Sequence, residues 1–369
     1  MDVGAREEIF ALIGRLVAQG MAVLLISSDL PEVMNLSHRL ALYRDGRIVR
    51  QGGVRRLHTG AGDGRTYQDR SSLRPPIMKH LRTYLPLLAA IALLLTVFAL
   101  WVPHNRFLTA GNLMDLAQQI SVNAILAFGL TLVILIGGID LSVGAVVALA
   151  GVVCVSVLNV AGSVGGLAAG LGAALLIGVA NGLCAARTRM PPFIITLATM
   201  LVARGLALGF NESRPLPIGE SQSFMLALGN ARLGGWLPLP VVVMLVVFAV
   251  TAVLLHRTRF GQHLFAIGGN REAARFTGIA IARHEVAVYA LCGLRAGLAG
   301  MIHASQLYSA EPAAGQGFEL NAIAAVVVGG TSYSGGTGTL PGTLLGAIII
   351  GILDKGLNQA GVHFSLQYI

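Results

Sequence analysis

The sequence predicts a mainly α-helical, polytopic membrane protein with a short α/β segment at its N-terminus. Hydrophobic residues make up 55% of the 369-residue chain and charged residues 12%, a balance too apolar for a soluble domain of ordinary composition. From Tyr84 onward, apolar stretches of about 20 residues recur with short polar breaks, and that is the length a helix needs to cross roughly 30 Å of hydrocarbon. The first fifty residues instead mix helix, strand and hairpin periodicities, which no membrane span shows.

Taken in order, Ile9, Leu12, Ile13, Leu16 and Val17 repeat at helical spacing with Arg6, Glu7, Glu8 and Arg15 off the stripe, so residues 5–18 predict a soluble amphipathic helix. Acidic and amphipathic, it is not expected to act as a cleavable signal peptide. Gly20 ends it, and the run from Met21 to Ile26 reads as a strand buried on both faces. A polar cap precedes Pro31, and Arg39–Val49 reads as a hairpin turning at Asp45-Gly46. Residues 51–78, rich in Gly, Arg, Ser and Asp without periodicity, are expected to be a linker. The domains expected are therefore 1–50, a linker over 51–78, and a transmembrane domain over 79–369.

Nine spans are expected, at about 84–103, 115–136, 139–159, 164–186, 193–210, 237–256, 286–308, 319–330 and 340–360. The third and eighth are flanked by Gly137-Gly138 and Gly329-Gly330, which predicts broken or re-entrant helices covered by protein or a wet cavity. Lys79, Arg82, Arg187, Arg189, Arg257, Arg259, Arg271, Arg275 and Arg283 fall on one side of such a chain, against Arg106, Arg214 and Arg232 on the other. The positive-inside rule then sets the N-terminus in the cytoplasm. The net charge of +9 is accounted for by these topology signals, and no basic, aromatic-interleaved patch suggests nucleic acid. Cys154, Cys184 and Cys292 stand singly in apolar stretches and are expected to be buried small hydrophobes, with neither a disulfide framework nor a metal site.

Function should reside in three places. In the loop Gly268-Gly-Asn-Arg-Glu-Ala-Ala-Arg-Phe-Thr-Gly-Ile279, Asn270 is placed to cap a short helix, Glu272 to sit in its positive first turn and Gly278 to end it in the left-handed conformation. Ala273 and Ala274 would give that helix a small docking face, and Arg271 and Arg275 would reach an acidic groove. A solvated connector is the alternative. Asn123-Ala-Ile125 before Gly137-Gly138 is echoed by Asn321-Ala-Ile323 before Gly329-Gly330, which suggests two related halves, with Asn123 and Asn321 lining a path or bonding between helices. Ionisable groups inside a bilayer cost at least about 2.5–3.5 kcal/mol at its centre. Asp140, beside Ser142, is read as a cap for freed N–H groups, with direct contact to a substrate as the alternative. Glu319 is read as hydrated at a boundary, and Arg204 and Arg295 as snorkelling or pairing with one of these acids.

Two resemblances follow from these residues. Asp2-Val-Gly-Ala5, the run at 24–32 and Arg44-Asp-Gly-Arg-Ile-Val49 resemble the C-terminal end of the second ATPase domain of sugar-import ABC proteins. That likeness implies that Asp2 is a D-loop aspartate and that Ser28 replaces the switch histidine. No G-x-x-x-x-G-K-[ST] loop is present, so no ATP hydrolysis is expected. Glu272-Ala-Ala274 followed by Gly278 is similar to the EAA–glycine motif of ABC importer permeases. Ser121–Ile125, Thr131–Leu135, Gly138–Gly144, Leu291–Leu294 and Glu319–Thr331 resemble the ribose-type permease family.

The likeness runs from about Leu81 to Ile369, stops short of the family's final apolar helix, and departs from it at Arg295. It implies a bacterial inner-membrane permease for a pentose-like sugar, working as a homodimer in lipid with an ABC ATPase subunit and a periplasmic sugar-binding protein. No cofactor, metal or catalytic residue is implied. The site residues implied are Gly269, Asn270, Glu272, Ala273, Ala274 and Gly278 for coupling, with Asn123, Asp140, Ser142 and Asn321 as candidates for the substrate path. Two other readings stay open: an inactive deletion fusion of ATPase and permease genes, and an ion-coupled transporter using Asp140 and Glu319. A membrane enzyme is disfavoured by the lack of H-E-x-x-H, G-x-S-x-G or clustered carboxylates.

Overall fold

A computed structural model of the chain describes Val17 and residues 37–44, 47–53, 76–102, 107–219 and 221–363. The chain divides into two units, 1–79 and 80–369. In the first, β1 (Arg39–Arg44) and β2 (Arg47–Gly53) pair antiparallel, Arg44 opposite Arg47, with an irregularity between Leu42 and Tyr43. The strands flank the expected turn, which itself lies outside the described residues. So do the helix expected over 5–18, apart from Val17, and the strand over 21–26. Of the expected linker, residues 51–53 continue β2 and 76–78 begin a helix.

The second unit is helical: α1 (Pro76–Trp101), α2 (Ala110–Leu135), α3 (Val143–Arg187), α4 (Pro192–Gly209), α5 (Ser223–Asn230), α6 (Leu239–Arg257), α7 (Arg259–Gly269), α8 (Arg271–Phe276), α9 (Ile281–Gln306), α10 (Phe318–Val328) and α11 (Leu340–Gln359). Local chemistry sets several starts. The Thr109 and Thr339 hydroxyls accept the Asn112 and Gly342 N–H groups at α2 and α11, and Pro192, Pro240 and Pro341 occupy first turns where no N–H is needed. Among the described residues seven helices are long and apolar enough to cross a membrane, where the sequence predicted nine spans.

The difference has a physical source in α3. Its 45 residues are far longer than one crossing, and at Gly162 the backbone leaves helical geometry (φ 75°, ψ −180°). Beyond that point the chain folds back. The Asn181 Nδ2 donates to Ser142 Oγ across 3.0 Å, and a Cβ at Gly170 would lie 2.8 Å from the Ala150 carbonyl. The expected third and fourth spans are thus two arms of one helical hairpin. The expected eighth is α10, 11 residues long and too short to cross alone.

Helix α9 lies along both arms of α3, parallel to the first, where Gly300 meets Val147, and antiparallel to the second, where Gly178 meets Tyr289. Lipid tails give helices no hydrophobic reason to associate, so close backbone approach through small residues carries the packing. Helix α11 runs antiparallel to α2, with Thr131 and Thr343 hydroxyls 2.9 Å apart at one end and Lys355 donating to the Asn112 carbonyl at 3.4 Å at the other. The outer faces of α1, α4 and α6 expose apolar residues such as Leu93, Leu201 and Val250, the lipid boundary of a multi-pass protein.

At one end of the bundle three segments meet with backbone against backbone. The Gly336 N–H donates to the Leu135 carbonyl at 2.9 Å, and a Cβ at Gly268 would overlap both groups. Leu135 ends α2, Gly268 lies in the last turn of α7, and Gly336 belongs to the loop between α10 and α11.

Several sequence expectations change here. Cys154 and Cys292 are buried but Cys184 is exposed, because it faces outward from the second arm of α3. Arg204 and Arg295 form no ion pair with Asp140 or Glu319. Arg204 donates to the Pro312 and Ala314 carbonyls, and Arg295 to the Leu291 carbonyl and the Thr251 hydroxyl at 2.9 and 2.8 Å. Glu319 is half-buried, with one of its oxygens buried and without a partner among the described residues. The packing of α3 on α9 predicts that Gly178→Val, whose side chain meets the Tyr289 backbone, destabilises the protein by about 1–3 kcal/mol. Gly172→Ala on the same arm, with nothing within 4 Å, should leave the thermal midpoint in detergent unchanged. Equal midpoints for both variants would contradict this packing.

Candidate functional site: a polar cavity and a docking helix

A cavity of about 560 Å3 lies in the half of the bundle remote from the Leu135–Gly336 junction. Its wall comes from four helices. Asp115, Gln118 and Asn123 project from α2, His303 and Gln306 from the last turn of α9, Phe318 and Asn321 from α10, and Asp354 and Lys355 from α11. The two echoed asparagines thus face one space. Asn321 Nδ2 donates to Asp354 Oδ2 at 3.1 Å, while Asn123 Oδ1 and Gln306 Nε2 are buried with no partner among the described residues. Asp115, on the rim with 56% of its side chain exposed, is 3.1 Å from Arg232. Gly351 lets α11 pack closely on α2 beside the cavity, since a Cβ there would run into Ile120.

At the opposite end, α7 leads into α8. Asn270 Oδ1 accepts the Ala273 N–H at 2.9 Å, Glu272 lies in the first turn, and Gly278 has φ +84°. The Ile279 N–H reaches back to the Ala274 carbonyl at 3.2 Å, closing the C-terminus. These are the roles that spacing predicts for the loop. Its side chains are disposed unevenly: Ala273 is exposed but Ala274 turns into the protein, and Arg271, half of its side chain open to solvent, is tied to the buried Glu285 at 2.6 Å. The exposed face instead presents Phe276, with 89% of its surface open to solvent. Gly269, next to the junction, is exposed, and a Cβ there would meet nothing within 4 Å, so it leaves room beside the helix.

A family model described as the branched-chain amino acid transport system / permease component matches residues 112–369. The chain belongs to this permease family. Over 288 residues it is 43% identical to the ribose import permease protein RbsC of Escherichia coli (strain K12), a match covering 76% of this chain and 88% of that one. It is 43% identical over 281 residues to RbsC of Bacillus subtilis (strain 168), covering 76% and 87%. With the L-arabinose transport system permease protein AraH of Escherichia coli (strain K12) it shares 36% over 284 residues, covering 77% and 85%. No solved structure matches the chain.

In this permease Asp140 and Ser142 stand apart from the cavity. The Ser142 N–H and hydroxyl both donate to Asp140 Oδ1, at 2.9 and 2.6 Å, and Asn181 ties Ser142 to the second arm of α3. Thr196 on α4 straps the same segment, accepting from the Leu141 N–H at 3.2 Å and donating to the Ile139 carbonyl at 3.1 Å. Asp140 therefore satisfies backbone freed where the helix is broken, as its neighbours in sequence suggested. Sequence reasoning missed Gln118, Gln306, Phe318, Asp354 and Lys355 in the wall. A signal existed for two of them, since an Asp-Lys pair inside an apolar stretch needs a reason to be there. Capping of α8 predicts that Asn270→Ala costs about 1 kcal/mol of local helix stability, raising amide exchange at Ala273 by roughly fivefold. Unchanged exchange in the variant would show that the cap does not hold the helix.

Proposed function

We propose that this permease forms the membrane path of an ABC importer for a pentose-like sugar, working as two copies in lipid. A separate ATPase subunit drives it through α8, and a periplasmic sugar-binding protein supplies it. The observation that carries the reading is an amide-lined cavity at the end away from the docking helix, in a chain 43% identical to a ribose import permease. Neutral sugars need paired donors and acceptors, and Asn123 and Asn321 offer them on facing helices. On this reading Asp140 and Ser142 serve the fold beside the path.

The arginines support the orientation. Arg257, Arg259, Arg271, Arg275 and Arg283 gather around α7 and α8, whereas Arg232 lies at the cavity rim beside Asp115. The docking end then faces the cytoplasm and the cavity the periplasm, with the N-terminus inside. Residues 1–50 are read as the C-terminal part of an ATPase domain, 51–78 as a linker and 79–369 as the permease domain. The 369 residues hold no phosphate-binding loop, and on this reading energy enters from an ATPase subunit that carries one. It enters where Phe276 and Ala273 meet the ATPase around the Glu272–Gly278 turn, and passes through the Gly268 junction to α2 and α10.

Transport and ATPase co-purification at matched expression test this. Ala273→Trp and Gly278→Val should abolish both while leaving membrane insertion intact, the second because a β-branched residue resists φ +84°. Phe276→Ala should weaken partner binding by about 2 kcal/mol, as truncating a buried aromatic anchor does. Asp140→Asn keeps the Oδ1 acceptor for both Ser142 donors and should retain uptake. If the first three retain uptake and partner binding while Asp140→Asn abolishes uptake, the ABC reading falls and an ion-coupled carrier replaces it.

A further inference from the structure

We propose that Asn123 on α2 and Gln306 on α9 form an amide pair that reads hydroxyl groups, and that this pair sets which neutral polyol the cavity accepts. The inference rests on the sugar-path reading above. Polar atoms buried in a finished protein interior are paired. In this cavity an acceptor, Asn123 Oδ1, and a donor, Gln306 Nε2, are buried without partners among the described residues. They come from different helices and were left open together, so what they lack is supplied from the space they share. A hydroxyl group both donates and accepts, and two neighbouring hydroxyls satisfy the pair with atoms to spare. The ammonium and carboxylate of an amino acid also donate and accept, but its branched aliphatic chain leaves the polar wall at Asn321 and Asp354 unmatched, where a polyol does not.

The remaining wall fits the same ligand. The Asn321–Asp354 hydrogen bond of 3.1 Å leaves further acceptor positions on the carboxylate. Phe318, edge-to-face with His303 at a ring separation of 5.3 Å, offers an apolar surface for the C–H face of a sugar ring. Asp115 is paired with Arg232 at the rim and Asp354 is matched by Lys355 in the wall, so no surplus cation is left to hold a phosphorylated sugar. At about 560 Å3 the cavity is within the range of roughly 300–1,000 Å3 found for small-molecule sites.

The test uses the full-length permease in lipid nanodiscs, titrated with D-ribose, its monodeoxy analogues, D-ribose 5-phosphate and L-leucine, with binding read by saturation-transfer NMR. Wild type should bind D-ribose, bind at least one monodeoxy analogue about tenfold more weakly, and bind neither the phosphate ester nor leucine. Gln306→Met and Asn123→Leu should each weaken D-ribose by about tenfold and erase its advantage over that analogue. A variant that merely folded less well would lose signal for both ligands and keep their ratio, so an unchanged ratio overturns the proposal. Leucine binding that disappears in the same variants also overturns it. Uptake by the reconstituted importer separates the two levels: if wild type carries D-ribose while the variants keep its discrimination, only the role of the pair falls. If wild type neither binds nor carries D-ribose, the path reading falls and this inference with it.

Discussion

A backbone contact between two helix ends and a glycine loop holds three segments of this protein together. The Gly336 N–H bonds the Leu135 carbonyl, and Gly268 sits so close that a single added carbon would collide with both. Each partner ends a segment with a task. Helix α2 carries Asn123, the loop after α10 follows Asn321, and α7 leads into α8, the proposed docking helix. From Leu135 to Asn123 is about 18 Å along a continuous helix at 1.5 Å per residue. With no flexible side chain between the three segments, displacement of α7 is taken up by backbone on the other two, and close-packed interfaces shift between discrete arrangements more readily than they stretch.

The same economy of side chains recurs through the bundle. Where α9 lies along the two arms of α3, Gly178, Gly293 and Gly300 bring helix backbones together, so dispersion and weak polar contacts act over the full length of the helices. Breaks in the helices are covered by named groups. Asp140 and Thr196 take up the backbone groups of residues 139–142, and the Leu135 carbonyl is used by Gly336. Irregular backbone at membrane depth is tolerable only when satisfied in this way. Arg204 and Arg295 turn toward carbonyl or hydroxyl oxygens, although Arg295 Nε and one Glu319 oxygen are buried without partners among the described residues.

Much of this was legible in the sequence because it depends on local rules. The cap at Asn270, the left-handed Gly278 and the role of Asp140 beside Ser142 are decided within a few residues. Of the echoed blocks, the two asparagines line one cavity, while Gly137 lies against Ser334 and Gly329 packs instead on Gly342. Less legible were features decided by tertiary direction. Ala274 is buried and Arg271, itself exposed, reaches the buried Glu285, and helical spacing alone does not say which side of a six-residue helix is covered. The fold-back of α3 at Gly162 falls between the spans expected at 139–159 and 164–186, although helix continues on both sides of that residue. Gln306 and Phe318 carried no signal as single polar or aromatic residues at helix ends. Only the convergence of four helices makes them neighbours.

The most direct measurement places a cysteine at Asn123 in a background carrying Cys154→Ala, Cys184→Ser and Cys292→Ala, and follows its reaction with a membrane-impermeant maleimide in proteoliposomes containing the ATPase partner. If the cavity and the docking helix are opposite ends of one moving assembly, the cysteine reacts from the periplasmic face without nucleotide and becomes protected when ATP is trapped. Labelling that is indifferent to ATP, or that occurs only from the face bearing α8, would contradict the account.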